Sequence, residues 1–505
     1  MLALSLLLLL FAAVAARLDA RDSCDSLKSI PLQDAPVPPF PPYDSNAAQV
    51  YRYRQQRAVN LGSWFVLENW MTPSMFPPHA ISEHDVVSSD PISCSRRRLE
   101  RHWDSWIEDS DLRYLASIGI NTVRLPIGYW GLGPDYCKDT PFADVADVYT
   151  NAWSAIVRAI NTAESHGIGV LVDLHAAPGS QNGQPHSGVS DKRIGTFSPE
   201  YRSKTIDVLR HLVEQLCNVT NVVGIQILNE PQDGGALVDF YKDAIDAMRA
   251  ISPAAARFPL YIHDGFNLNK FSRFVAGRSD FVVQDHHSYF VFTPQDDQKS
   301  ASQHTRDVAT VVQDALKNAN RRGNLIIGEW SCALTPLSLS QEQDPDAARR
   351  AFCTTQLDTY TTSTAGWHFW SYKLETCEPG WCFVKRALPS NFFWSTCGAR
   401  STSTDNRDSG SGLLGRASNL RHRAATIYAK RQNMSPEQES QATGYSDGLQ
   451  AARMFCAYDS RLGFLKQYML DRIRDLGDKV VASGTEQAYE QGFEQGYSDG
   501  ENEEY

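Results

Sequence analysis

The feature that most constrains this chain is a rhythm. Eight short apolar runs, rich in Val, Ile and Leu, recur between residues 57 and 372. They are RAVNLGSWF (57–65), NTVRLPIG (121–128), GIGVLVDLH (167–175), VVGIQILNE (222–230), PLYIHD (259–264), FVVQDHHSY (281–289), NLIIGEW (324–330) and AGWHFWSY (365–372). Longer amphipathic stretches separate them, such as SDLRYLASIG (110–119), NAWSAIVRAINTAESHG (151–167) and SKTIDVLRHLVEQL (203–216). Strands buried on both faces need continuous apolar runs, and helices between them return the chain to the same edge of a parallel sheet. Eight such units predict a closed (β/α)8 TIM barrel of α/β class. The alternative is a doubly wound open sheet, but no glycine-rich phosphate loop opens any of the helices.

The flanks read differently. Residues 1–16 begin with an apolar stretch, Leu2 to Val14, too short to span a bilayer, followed by small residues suited to signal cleavage. The n-region lacks Lys and Arg. Residues 17–49 form a leader whose PLQDAPVPPFPP segment holds six prolines and predicts extended backbone. The barrel is expected over 50–400, and 401–440, opening with STSTDNRDSGSG, reads as a linker. The region 441–505 is expected to be a small helical appendage with a frayed, solvated acidic end. It contains GYSDG twice, at 444–448 and 496–500, which is too little repetition for a solenoid.

Ten cysteines, an even number, permit disulfides in an oxidising compartment without giving their pairing. Asn218 and Asn433 head glycosylation sequons. The protein is therefore expected outside the cell or in its wall, as a monomer, with no membrane contact after signal cleavage. A net charge of −11 argues against a nucleic-acid partner and is compatible with an uncharged substrate. No His-x-His, H-x-x-x-H or paired C-x-x-C spacing is present, so neither a metal nor another cofactor is expected.

In a barrel of this kind the chemistry sits at the C-terminal ends of the strands. Glu68 and Trp70 follow the first run, Arg124 lies on the second, and Asp173 and His175 end the third. Asn229-Glu230 ends the fourth, His263-Asp264 the fifth, His287 and Tyr289 the sixth, Glu329-Trp330 the seventh, and Trp370 and Tyr372 the eighth. Glu230 and Glu329, on strands nearly opposite each other, form the pair that glycoside cleavage requires. One carboxylic acid protonates the leaving oxygen, and the other attacks or stabilises the oxocarbenium-like centre. Asp173, His263 and His286 read better as structural polar groups. Trp70, Trp130 and Trp330 are candidates for stacking on a sugar, and Phe290 and Phe292 for clamping a leaving glucose.

These motifs carry a resemblance. VNLGSWFVLENWMTPSMF (59–76), NTVRLPIGYWGLGP (121–134), LVDLHAAPGSQNGQPHSG (171–188), GIQILNEP (224–231), DHHSYFVF (285–292), IGEWSCALT (327–335) and GWHFWSYKLE (366–375) stand in order. Over residues 50–400 the chain resembles family 5 of the glycoside hydrolases, clan A, and within it the fungal exo-β-1,3-glucanases. Tyr372, where Trp is expected, and the extra region after 400 depart from that pattern.

The resemblance implies a secreted retaining hydrolase that releases glucose from the non-reducing ends of β-1,3-glucan, its polysaccharide partner, in fungal wall metabolism. It implies Glu230 as acid/base with a raised pKa, and Glu329 as nucleophile, held ionised by Arg124. Asn229 would bind the sugar 2-OH. His175, His287 and Tyr289 would ring the attacked sugar, Trp370 would form its floor, and Glu68 would hold the non-reducing-end hydroxyls. Other family 5 specificities (β-1,6-glucan, a glucosyl lipid, endo cleavage) and transglycosylation share the same glutamates and stay open. A wall protein without catalysis would be expected to lack one of these residues.

Overall fold

Eight parallel strands close into a barrel in sequence order. They are β1 (Gln56–Asn60), β2 (Thr122–Gly128), β3 (Gly169–Ala176), β4 (Val222–Gln226), β5 (Leu260–His263), β6 (Val282–Ser288), β7 (Leu325–Trp330) and β8 (Gly366–Phe369). Closure is made by β1 against β8, in register from Gln56↔Gly366 to Val59↔Phe369. Each apolar run of the sequence coincides with one strand, to within one residue at the start of β1 and the end of β3. Every strand residue except His286 is buried. This computed structural model describes Cys24–Leu27, Ser29, residues 31–385, Phe392 and residues 434–502. The expected signal segment 1–16, Asn433 and the linker up to 433 lie outside the described residues.

The helices that link successive strands include α1 (Asp109–Ser117), α2 (Ala152–Ser165), α3 (Pro199–Leu216), α4 (Leu237–Arg249), α5 (Leu268–Ala276), α6 (Gln313–Ala319) and α7 (Pro345–Ser363). Their starts follow local chemistry. The Ser198 side chain accepts from Tyr201 N–H ahead of α3, and Asp344 accepts from Ala347 N–H ahead of α7. Each is followed by proline in the first turn, where its missing N–H costs nothing. Residues 31–44 have no regular structure, as the prolines predict, but Ser45–Tyr53 is helical before β1.

Three disulfides join Cys24–Cys94, Cys332–Cys353 and Cys377–Cys382, and Cys456 is also disulfide-bonded. Cys137 and Cys217 are buried free thiols. Among the described residues no helix is long and apolar enough to cross a membrane.

The chain divides into two compact units, the second joining Tyr53–Gln55 to the chain after Phe392. Its described helices are α8 (Pro436–Cys456), α9 (Leu465–Leu476) and α10 (Glu486–Glu501). α8 starts inside the stretch read as linker, on a capping box of Ser435 and Gln438. The expected frayed acidic end is a helix as far as Glu501. The reason is a stripe: Tyr489, Gly492, Phe493, Gly496, Tyr497 and Gly500 recur at helical spacing and are buried. Both GYSDG copies belong to this helix pair. A Cβ on Gly444 would lie 2.0 Å from Tyr489 O, and one on Gly492 would lie 2.0 Å from Gln441 O. Only glycine permits backbones to approach so closely.

Candidate active site

The loops after the strands carry local strain. Ser63, Ser180, Glu230 and Phe266, in the loops after β1, β3, β4 and β5, all have positive φ. Non-glycine residues rarely adopt this conformation, and it concentrates where surrounding structure imposes it. β4 ends at Gln226, so Glu230 stands on the turn beyond the strand rather than on it. The β6/β7 pairing shifts register at His286/His287, and the β7/β8 pairing shifts between Ile327 and Trp330. Such irregularities re-aim side chains at a barrel rim.

Below the rim lies a buried polar layer built around Arg124. Its guanidinium donates to Glu329 Oε1 (2.9 Å), Asn229 Oδ1 (2.7 Å), Asn60 Oδ1 (2.9 Å) and Gln226 Oε1 (2.7 Å), and pairs with Asp173 Oδ2 at 3.0 Å. A buried cation is tolerable only when its donors are spent this way. Gln226 in turn donates to Asp285 Oδ2 at 2.7 Å, and Gly328 N–H donates to Asp285 Oδ1 at 2.7 Å. That contact explains the glycine of GEW: a Cβ on Gly328 would lie 2.1 Å from Asp285 Oδ1.

Both oxygens of Glu329 are engaged, Oε1 by Arg124 and Oε2 by the Tyr289 hydroxyl at 2.8 Å. Glu230 Oε1 is 2.7 Å from His287 Nδ1. The same nitrogen lies 3.4 Å from Glu329 Oε2, and His287 Nε2 lies 3.3 Å from Asp285. His287 is thus a hub among three carboxylates. Burial alone would lower its pKa, but the charges of Glu329 and Asp285 and its bonds to Asp285 and Glu230 hold it well above the ordinary histidine value.

The carboxyls respond accordingly. Burial pushes Glu329 up to about 7, against the pull of His287 and Arg124. Burial also acts on Glu230, but the hydrogen bond and charge of His287, with His186 and His263 adding, hold it below the ordinary carboxylate range. The expectation of a raised Glu230 pKa is therefore overturned in this geometry. The cause is a histidine that keeps its proton between the two glutamates. Glu68, bonded to Trp70 Nε1 at 2.8 Å, is pushed up to about 8 by burial and by the charges of Glu329 and Glu230.

Seven of the nine residues to which the resemblance gives site roles line one cavity of about 640 Å³: Glu68, His175, Glu230, His287, Tyr289, Glu329 and Trp370. Arg124 and Asn229 are fully buried beneath it and reach it through Glu329 and His175. Trp370 stacks on His175 with centroids 5.8 Å apart. Asp173 is structural, bonded to His175 Nδ1 at 2.7 Å as well as to Arg124.

Of the three tryptophans considered for stacking, Trp70 lines the cavity, whereas Trp130 and Trp330 are core. Trp130 packs on Phe142 at 4.1 Å. Phe292 lines the cavity; Phe290 packs away from it on Phe352.

Sequence reasoning missed His186, Phe266 and Trp381, which also line the cavity. His186, whose ring approaches Glu230 Oε2 at 3.9 Å, lies in the QPHSG loop, well beyond the end of β3. Glu83 was missed too. It is buried, accepts from Leu67 N–H and Tyr149 OH at 2.8 Å each, and so braces the loop carrying Glu68. Burial pushes it up to about 7. An acidic residue at the first position of a short helix gave no sign of this.

What this rim can do is narrow. One carboxylate beside a proton-holding histidine and a second held by an arginine, both facing a cavity walled with rings, suit the cleavage of a glycosidic bond. The chain is a glycoside hydrolase. The family model for cellulase (glycosyl hydrolase family 5) matches residues 87–373, and the chain belongs to that family. It is 36% identical to glucan 1,3-beta-glucosidase 3 of Schizosaccharomyces pombe over 338 residues, 65% of this chain and 71% of that one. It is 31% identical to a glucan 1,3-beta-glucosidase of Blumeria graminis over 409 residues, 69% of this chain and 91% of that one. In fold it is similar to the crystal structure of rutinosidase from Aspergillus niger, with a TM-score of 0.53 and 16% identity over 66% of this chain and 96% of that one.

Proposed function

We propose that this chain is a secreted retaining hydrolase that releases glucose from the non-reducing ends of β-1,3-glucan. The observation that carries the retaining mechanism is the shared histidine. Glu230 Oε1 and Glu329 Oε2 lie 2.7 Å and 3.4 Å from one nitrogen of His287. The two oxygens are therefore closer together than the roughly 6.5–9.5 Å that leaves room for a water in inverting enzymes.

In this reading Glu329 attacks the anomeric carbon from one face of the sugar. Glu230, resupplied from His287, protonates the departing oxygen. The proton donor is thus the Glu230–His287 pair rather than an isolated acid of raised pKa. Once Glu329 is esterified its charge is gone. As the water oxygen bonds the anomeric carbon and the ester bond to Glu329 breaks, Glu230 takes the water's proton and returns it to His287, and glucose leaves with its β configuration retained. Arg124 and the Tyr289 hydroxyl stabilise the Glu329 carboxylate before attack and after release.

Glu68 and Trp70, hydrogen-bonded to each other on the β1 side of the cavity, are suited to gripping hydroxyls of the terminal glucose. This supports exo cleavage. The likeness to two glucan 1,3-beta-glucosidases supports the β-1,3 linkage. The apolar start of the chain, the disulfides and an exposed Asn218 support secretion into the medium or wall.

The test is product analysis on laminarin with wild type and Glu329→Gln. Glucose released first as the β-anomer, and lost in the variant, is expected. Mixed oligosaccharides would sink the exo assignment. No release would sink the β-1,3 assignment and direct attention to β-1,6-glucan and glucosyl lipids.

A further inference from the structure

His263, at the end of β5, holds a buried polar atom that takes no part in the steps above. The residue is fully buried, and its Nε2 has no hydrogen-bond partner among the described residues. A buried donor left unpaired is costly, so such a group calls for an explanation.

Local geometry fixes which nitrogen carries the proton. Gly265 N–H donates to His263 Nδ1 at 3.0 Å, so Nδ1 is the acceptor and the single proton of the neutral ring sits on Nε2. Burial and the charge of His287 push the ring down to about 4, which keeps it neutral near pH 7. The surrounding loop is tied down as well. Tyr241 OH donates to His263 O at 2.8 Å, and Asp264 accepts from Phe266 N–H at 2.9 Å. The Phe266 ring packs edge-on against His263 at 5.0 Å. His263 is therefore a donor that can neither gain a second proton nor exchange its tautomer without breaking the Gly265 bond.

Its surroundings indicate what it is a donor for. The ring lies 4.3 Å from that of His287, and ligating atoms of Glu230, His263 and His287 fall within 4.8 Å of one another. Glu230 is thus served by two histidines of different character: the proton of His287 moves, and that of His263 does not. Once His287 has passed its proton through Glu230 to the departing oxygen, its Nδ1 is a bare acceptor, because Nε2 keeps its own proton beside Asp285. The Glu230 carboxylate then faces a lone pair where it had a donor.

We propose that His263 is a positioning residue for the second half of the reaction: its Nε2–H takes over the Glu230 carboxylate while the sugar is esterified to Glu329. No covalent bond changes at His263. Glu230 exchanges one hydrogen bond for another, and exchanges back when His287 regains its proton. The inference rests on the retaining reading above.

The test uses the full chain and dinitrophenyl β-glucoside. Its leaving group departs without a proton, so hydrolysis of the glycosyl-enzyme limits kcat, while kcat/KM reports the first step. His263→Met removes the donor, and His263→Gln restores an amide N–H of similar reach. Both lose the Gly265 bond, so the difference between them reads the Nε2–H alone. In His263→Met, kcat should fall roughly ten- to a hundredfold, the worth of one hydrogen bond to a charged acceptor. Its kcat/KM should stay near the wild-type value, and His263→Gln should recover most of the lost kcat. An unchanged kcat, or equal losses of kcat and kcat/KM in both variants, overturns the proposal. Should the variants not fold, the wild type decides. A crystal structure with a fluorinated glucosyl group trapped on Glu329 should place a Glu230 oxygen about 3 Å from His263 Nε2. A Glu230 carboxylate still held by His287 alone overturns the proposal and leaves the retaining reading standing. A first product of α configuration overturns that reading, and the role of His263 with it.

Discussion

Glycine makes room for a carboxylate in the barrel and for a backbone in the C-terminal unit. A Cβ on Gly328 would collide with Asp285 Oδ1, whereas one on Gly448 would lie 2.2 Å from Phe493 O. The first glycine lets a buried acid sit under the catalytic rim and hold His287. The second lets two helices touch through their main chains and positions no chemistry. The same residue type thus buys electrostatics in one unit and proximity in the other. Damage should therefore appear as lost catalysis in the first and as lost stability in the second.

The largest expected effect is that of Glu329→Gln, which keeps shape and removes the attacking carboxylate. The rate constant for glucan hydrolysis should fall roughly 10⁴-fold or more, with the melting temperature little changed. Steady-state kinetics beside a thermal melt would measure both, and a mild loss would break the assignment of the nucleophile.

His287→Asn should cost roughly 10²–10⁴-fold, the range of acid–base assistance, and should also alter the pH profile. His287 is held above the ordinary histidine value, so in wild type it keeps its proton at pH values where a free imidazole would have lost it. Catalysis that needs this proton is present below that pKa and lost as pH rises through it. Removing the histidine should move the alkaline limb of kcat/KM to lower pH. An unmoved limb would show that the proton comes from elsewhere.

Tyr289→Phe removes one hydrogen bond to Glu329, worth about 1.5–3 kcal/mol for a charged acceptor. It should lower kcat/KM by roughly ten- to a hundredfold. Gly492→Ala lies at the other end of the comparison. The added methyl would meet Gln441 O, so the helix pair must part. A cost of about 1–3 kcal/mol is expected in the stability of the C-terminal unit. Hydrolysis of an aryl glucoside at 25 °C should be unchanged. A matching loss of activity would mean that the two units are not energetically separate.

The barrel was legible because its signal is local and repeated. Each buried strand must be apolar over several residues, and each of the eight runs coincides with one to within a residue. The two glutamates were legible because a carboxylate at the end of an apolar run is costly unless it has work to do. The GYSDG copies were visible but not interpretable. The spacing of glycines on one helix does not reveal that a second helix, more than forty residues away, brings the matching stripe. His186 and Trp381 were not legible, because loops carry no periodicity and their side chains meet only when the barrel closes.

The sequence by itself determined the number and order of the strands, the residues that crowd their C-terminal ends, and the family. The tertiary structure alone decided which charges face one another. Glu230 was expected to have a raised pKa, but His287, lodged between Glu230, Glu329 and Asp285, pulls it down instead. A pKa depends on distance and burial in three dimensions, and no run of residues encodes either one.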